Sequence, residues 1–213
     1  MSERWDVGSP SINRVEPRGR ARGAVLVLHG GTQRSVEPVT GSSLSWQRGR
    51  VLQRTLGRRL GRDGVAVWLL RYTQRGWNDA WSPSPLPDAR WALDELRAAY
   101  DDVPVVLVGH SMGARTGARV ADDPSVCGLV ALAPWFPPGE PVEGLRGKDL
   151  VVAHGRRDRI TSYDASRAYV ERCRDVCRSA TFTDMGPVGH YLLRQVPAWN
   201  ELAVSAARGM LPG

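Results

Sequence analysis

Residues 105–122 read VVLVGHSMGARTGARVAD. The first four form a short continuous apolar run, the pattern of a strand covered on both faces. The run ends in Gly109-His110-Ser111-Met112-Gly113, a G-x-S-x-G sequence, and a helical pattern over 112–122 follows at once. Glycines two residues either side of Ser111 permit a tight, strained strand-to-helix turn, which lifts the serine to its apex beside the first amides of the helix. A bare G-x-S-x-G also occurs in ordinary turns. The apolar strand before it and the helix after it make this one a candidate nucleophile.

Working outward, further apolar runs at 24–29 (AVLVLH), 65–70 (VAVWLL), 129–133 (LVALA) and 150–153 (LVVA) read as strands, and 180–184 (ATFTD) as a weaker one. Amphipathic stretches at 44–62, 88–100, 163–176 and 198–210 lie between and after them. Strands alternating with helices imply a mostly parallel sheet with right-handed crossovers, hence a three-layer α/β/α sandwich. With no repeat, low-complexity tract or linker, the 213 residues are read as one domain, in which 1–23 form an irregular or edge-strand segment.

The chain is basic, with 29 Lys and Arg against 22 Asp and Glu, and Lys148 is its only lysine. Such a balance can mark an acidic partner. Here the densest group, Arg50, Arg54, Arg58 and Arg62, recurs every fourth residue, while Leu52, Leu56 and Leu60 share another face. That is the solvated side of a sheet-packing helix, so neither nucleic acid nor membrane insertion is expected. No apolar run approaches a membrane span, and the opening MSERWDVGSPSINR lacks the apolar core of a signal peptide. Cys127, Cys173 and Cys177 have no metal-ligand spacing, which fits reduced thiols in a cytoplasmic protein.

In a parallel sheet, ligands meet the carboxyl ends of the strands. After the first strand, His29-Gly30-Gly31-Thr32 can turn backbone amides toward Ser111. An acyl-transfer oxyanion needs two such donors; they are assigned to Met112 and Gly31, with Thr32 the alternative to Gly31. After the fifth comes His154-Gly155-Arg156-Arg157-Asp158, where Asp158 can orient a histidine; Asp184 is the second candidate. Of the four histidines, only His190, in Gly186-Pro187-Val188-Gly189-His190-Tyr191, stands in a loop downstream of a candidate acid.

HGGT at 29–32, GHSMG at 109–113, HGRRD at 154–158 and GH at 189–190 together resemble the α/β-hydrolase superfamily, from about residue 24 to the carboxyl end. The resemblance implies a Ser111–His190–Asp158 triad and no metal or organic cofactor. Serine at 111 is similar to the esterase, lipase, thioesterase and peptidase branches. Two departures stand out: no proline follows Asp158 closely, and only about fourteen residues separate Pro134 from Lys148. That is too few for the helical cap many relatives carry there, so a minimal, lidless form is expected. Trp77, Trp135 and Phe136 then become candidate pocket walls, with Arg75, Arg156 and Arg157 as contacts for an anionic substrate.

The function implied is hydrolysis of small carboxylic esters or thioesters through an acyl-enzyme. The second reading is a non-hydrolytic acyl transferase, lyase or cyclase on the same site.

Overall fold

A computed structural model describes residues 8–212. Its elements run β1 (Ser11–Val15), β2 (Gly23–Leu28), α1 (Leu44–Leu60), β3 (Val65–Arg71), α2 (Pro85–Tyr100), β4 (Val105–His110), α3 (Met112–Val120), β5 (Val126–Leu132), β6 (Asp149–His154), α4 (Tyr163–Cys173), β7 (Ser179–Asp184) and α5 (Val196–Met210). They build a seven-stranded sheet in the order β1-β3-β2-β4-β5-β6-β7. Every pairing is parallel except that of β1 with β3. All six expected strands are present, β2, β3 and β4 buried along their whole length.

The helices sort by the direction of chain travel. From β2 the chain moves one way to β3, then returns past β2 to β4 and continues to β7. Right-handed crossovers therefore place α1 on one face and α2, α3 and α4 on the other. α5 packs beside α1 and against β4 and β5. The point where the direction reverses lies between β2 and β4, so the HGGT turn and the Ser111 turn leave neighbouring strands at the crevice where such sheets bind ligands.

α1 bears out most of the helix-face reading: Leu52, Leu56 and Leu60 are buried and Arg54 and Arg58 exposed, as is Arg62 just past the helix end, whereas Arg50 is half-buried with its Nε enclosed. One residue on its inner side was not anticipated. Gln53 is buried and donates through Nε2 to the Asn13 carbonyl at 2.7 Å and the Val67 carbonyl at 3.0 Å. It thereby ties the antiparallel edge strand β1 to β3. A buried amide without such acceptors would be costly, which explains its place beneath this edge.

Between β5 and β6 the chain forms one 3₁₀ turn, Glu143–Leu145, and no helical cap. Buried Glu140 holds this connection down. Its carboxylate takes Arg115 Nε and Arg119 Nε of α3, each at 2.6 Å, and its carbonyl accepts from Arg172 of α4. Arg115 in turn lies between the rings of Trp77 and Trp135, at 4.0 and 4.4 Å. Removing one partner of a buried ion pair strands the other's charge. Glu140→Ala should thus lower the unfolding free energy by about 3–5 kcal/mol in urea denaturation.

Candidate active site

Ser111 sits between β4 and α3 with φ 55° and ψ −119°, a conformation an L residue adopts only when its surroundings enforce it. Its amide donates to the Leu132 carbonyl at 3.1 Å, and its own carbonyl accepts from Trp135 at 3.2 Å. The flanking glycines are required by contact. A methyl group at 113 would be driven into the Leu28 carbonyl, and one at 109 into the backbone of Ala114. Close approach of β2, β4 and α3 thus imposes the turn that exposes the hydroxyl.

The three separated candidates meet here. His190 Nε2 lies 3.0 Å from Ser111 Oγ, and His190 Nδ1 lies 2.7 Å from Asp158 Oδ2. A carboxylate only accepts, so Nδ1 carries the proton and Nε2 presents its lone pair to the serine. Asp158 is buried and accepts from four further donors: the amides of Ile160 and Thr161 at 2.8 and 2.9 Å, Thr161 Oγ1 at 3.0 Å and His154 Nε2 at 3.1 Å. Burial alone raises its pKa. Hydrogen bonds from His154, His190, Thr161 and Ile160 outweigh that and hold the carboxyl well below the usual range.

His154 and Thr161 were not anticipated as partners of Asp158. His154 is wholly buried, its Nδ1 2.8 Å from Ser166 Oγ, so the Ser166 hydroxyl can donate to Nδ1 while Nε2–H serves Asp158. The sequence carried a signal for both, since each lies within four residues of Asp158 in HGRRDRIT. Ser162 caps α4 by accepting from the Ala165 amide, which leaves Asp158 free of that duty. Asp184 is engaged with Arg156 at the surface and Arg75 with Glu37 at 2.7 Å, so both arginines have carboxylate partners.

The HGGT turn lies against the elbow. Thr32 donates its amide to the Arg75 carbonyl at 2.9 Å, whereas the amides of Gly31 and Met112 have no partner among the described residues. Gly31 is pressed against both the Arg75 carbonyl and the Met112 side chain, leaving no room for a Cβ. His110 reaches the neighbouring loop rather than the serine, donating through Nε2 to the His190 carbonyl at 2.9 Å. Burial, followed by the nearby His190 charge, pushes its pKa down to about 3. His29 is buried between Trp46 and Tyr72 with Nε2 unpartnered, and burial lowers its pKa to about 4. Among the described residues no cluster of His, Cys, Asp and Glu could hold a metal ion.

The aromatic candidates for pocket walls are placed differently from expectation. Phe136 and Trp77 are each only 3% exposed; Phe136 stacks on Tyr169 at 3.9 Å, and Trp77 packs on Arg115 and edge-on to Trp135. They serve as packing partners beneath the loops, not as walls of an open site. Half-buried Trp135 shares the Arg115 stack.

The sequence profile of the alpha/beta hydrolase family matches residues 25–211. The chain belongs to that family. No curated protein sequence matches it. Among solved structures, an alpha-beta serine hydrolase homologue from Coxiella burnetii is 18% identical, with 94% of this chain and 92% of that one covered at a TM-score of 0.69. A serine hydrolase described as without lid, from Xanthomonas campestris, is 19% identical over 96% and 90%, TM-score 0.71. Est1E from Butyrivibrio proteoclasticus, solved with ferulic acid bound, is 15% identical over 94% and 95%, TM-score 0.67. At these identities the likeness is one of fold. The family's α/β/α sheet is present in a form without a cap, and no helix of the described residues is long and apolar enough to cross a membrane.

The two buried histidines make stability depend on pH. Unfolded, each binds a proton near pH 6.5; folded, each resists protonation down to about 4 or about 3. The unfolded chain therefore holds more protons in this window, so stability falls as pH drops below about 6.5, by about 2 kcal/mol per histidine at pH 5. Asp158 adds to the loss only below the ordinary carboxylate range. Urea melts at pH 7 and pH 5 should show this slope, and His29→Asn should remove roughly half of it.

Proposed function

We propose that the protein is a serine hydrolase that cleaves small carboxylic esters or thioesters through an acyl-enzyme on Ser111. The observation that carries this reading is the continuous hydrogen-bonded line from Ser111 Oγ through both nitrogens of His190 to the buried Asp158 carboxylate. It starts at a serine held at positive φ.

In this reading His190 takes the Ser111 proton as the oxygen attacks the substrate carbonyl. The oxyanion that develops is received by the amides of Gly31 and Met112; Thr32, whose amide is already engaged, is not the second donor. His190 then protonates the leaving alcohol or thiol. A water molecule enters, gives its proton to His190 and releases the acid from Ser111. Asp158 stays ionised throughout, consistent with its lowered pKa, and stabilises the charged imidazole. The partner implied is a small-molecule substrate, and the steps call on no metal or organic cofactor.

A fluorophosphonate probe should label the folded protein and fail to label Ser111→Ala. His190→Ala should slow labelling and turnover of short acyl esters by about 10³-fold or more while the circular dichroism spectrum is retained. An unlabelled wild-type protein would remove the nucleophile assignment; labelling with no turnover across esters and thioesters would point to transfer or lyase chemistry. His154 is assigned a positioning role through Asp158. His154→Phe should slow labelling about tenfold, the worth of one hydrogen bond to a charge, and His154→Gln should restore part of the rate by supplying a donor.

A further inference from the structure

Of the large apolar side chains left exposed among the described residues, Val36, Trp81 and Ile160 stand apart, whereas the other five lie together. Leu44 and Val51 of α1, Tyr191 and Leu193 after the candidate base, and Val196 at the start of α5 line one groove of about 450 Å³. Buried Leu132 and Trp199 form its floor. Contiguous exposed apolar surface of this kind marks a binding site more often than chance exposure. The groove is joined to the candidate site at two points. The Leu132 carbonyl holds the Ser111 amide at 3.1 Å, and Tyr191 directly follows His190, their rings 5.3 Å apart.

A single cation faces this apolar lining. Arg48, half-buried on α1, stacks on Tyr191 at 4.5 Å and forms no ion pair among the described residues. A guanidinium fixed by stacking with its donors still available suits a carboxylate or similar anion.

Resting on the hydrolase reading above, we infer that this groove receives the alcohol or thiol portion of the substrate, and that Arg48 selects leaving groups whose apolar chain ends in an anionic group. The leaving atom must reach His190 Nε2 to be protonated, so the leaving group departs on the side of His190. The groove wall is built from the residues that follow His190 in the chain. A chain of several methylenes would cover Leu44, Val51, Leu193 and Val196, and its terminal anion would meet Arg48. None of these residues is part of the Ser111–His190–Asp158 line, so the groove sets which ester is cleaved, not whether one is.

The test uses the full chain and has a readout that does not depend on turnover. Hexanol and ω-hydroxyhexanoate, the alcohols released from hexyl acetate and ω-acetoxyhexanoate, are titrated into Ser111→Ala protein and followed by backbone amide shifts. Shifts should concentrate at Leu44, Val51, Tyr191, Leu193 and Val196. The anionic alcohol should bind about fivefold more tightly than hexanol, and Arg48→Gln should abolish that difference. In turnover by the wild-type serine, Arg48→Gln should lower the kcat/KM ratio of ω-acetoxyhexanoate to hexyl acetate by a similar about fivefold factor. Shifts confined to other surfaces, a ratio indifferent to Arg48→Gln, or a solution dimer that protects these same amides would each overturn the assignment. Binding as described with neither acetate cleaved would support the groove and reject hydrolysis, so the two readings fail separately.

Discussion

Asp158 is a full negative charge with no exposed side-chain surface, and the carboxyl end of the sheet is organised around satisfying it. An unpaired buried carboxylate would either take up a proton or destabilise the fold by several kcal/mol. Five hydrogen bonds prevent both outcomes. They come from the end of β6 through His154, from the loop into α4 through Ile160 and Thr161, and from the loop after β7 through His190. The same bonds that neutralise the cost of burial hold three chain segments in register, and one of them aims an imidazole at Ser111.

The other half of the site rests on sterics. Ser111 keeps a backbone conformation that is unfavourable for its type because β2 and α3 approach closely enough to exclude any side chain at 113. His110 supplies a link between the halves, since its ring reaches from the strand end to the His190 carbonyl. Ser111, His190 and Asp158 therefore share one frame at the strand ends, which would limit the reorganisation needed in the proposed acyl transfer. With no cap above this frame, the proposed substrate would meet surface loops and the first turns of α1 and α5. The apolar side chains exposed there suit that task.

Much of this was legible in the chain because the signals are local. Continuous apolar runs mark buried parallel strands, and the spacing of Leu52, Leu56 and Leu60 marks the inner face of α1. GHSMG identifies a strand-to-helix elbow because its glycines answer a steric need that exists within five residues. The pairing of β1 with β3 was less visible, since the edge is stitched by Gln53, a polar residue on an otherwise apolar face whose acceptors lie on two other strands. Trp77 and Phe136 were misjudged for a related reason. Large aromatics in strand-end loops suggest a pocket, but the paired Arg115 and Glu140 and the Tyr169 ring give them packing partners from distant parts of the chain.

The sequence by itself carried the layer architecture, a segment between Pro134 and Lys148 too short for a helical cap, and the candidates Ser111, Asp158 and His190, with Asp184 still open as the acid. Each follows from periodicity, segment length or the order of a few reactive residues, and such properties are local to the chain. Only the tertiary structure decided that, among the described residues, Gly31 and not Thr32 keeps a free amide, that His154 shares Asp158 with His190, and that an apolar groove opens beside the candidate site with Arg48 in no ion pair. Those outcomes depend on which donors and acceptors are already spent on partners far away in sequence. Partner occupancy is a property of packing, and no spacing rule records it.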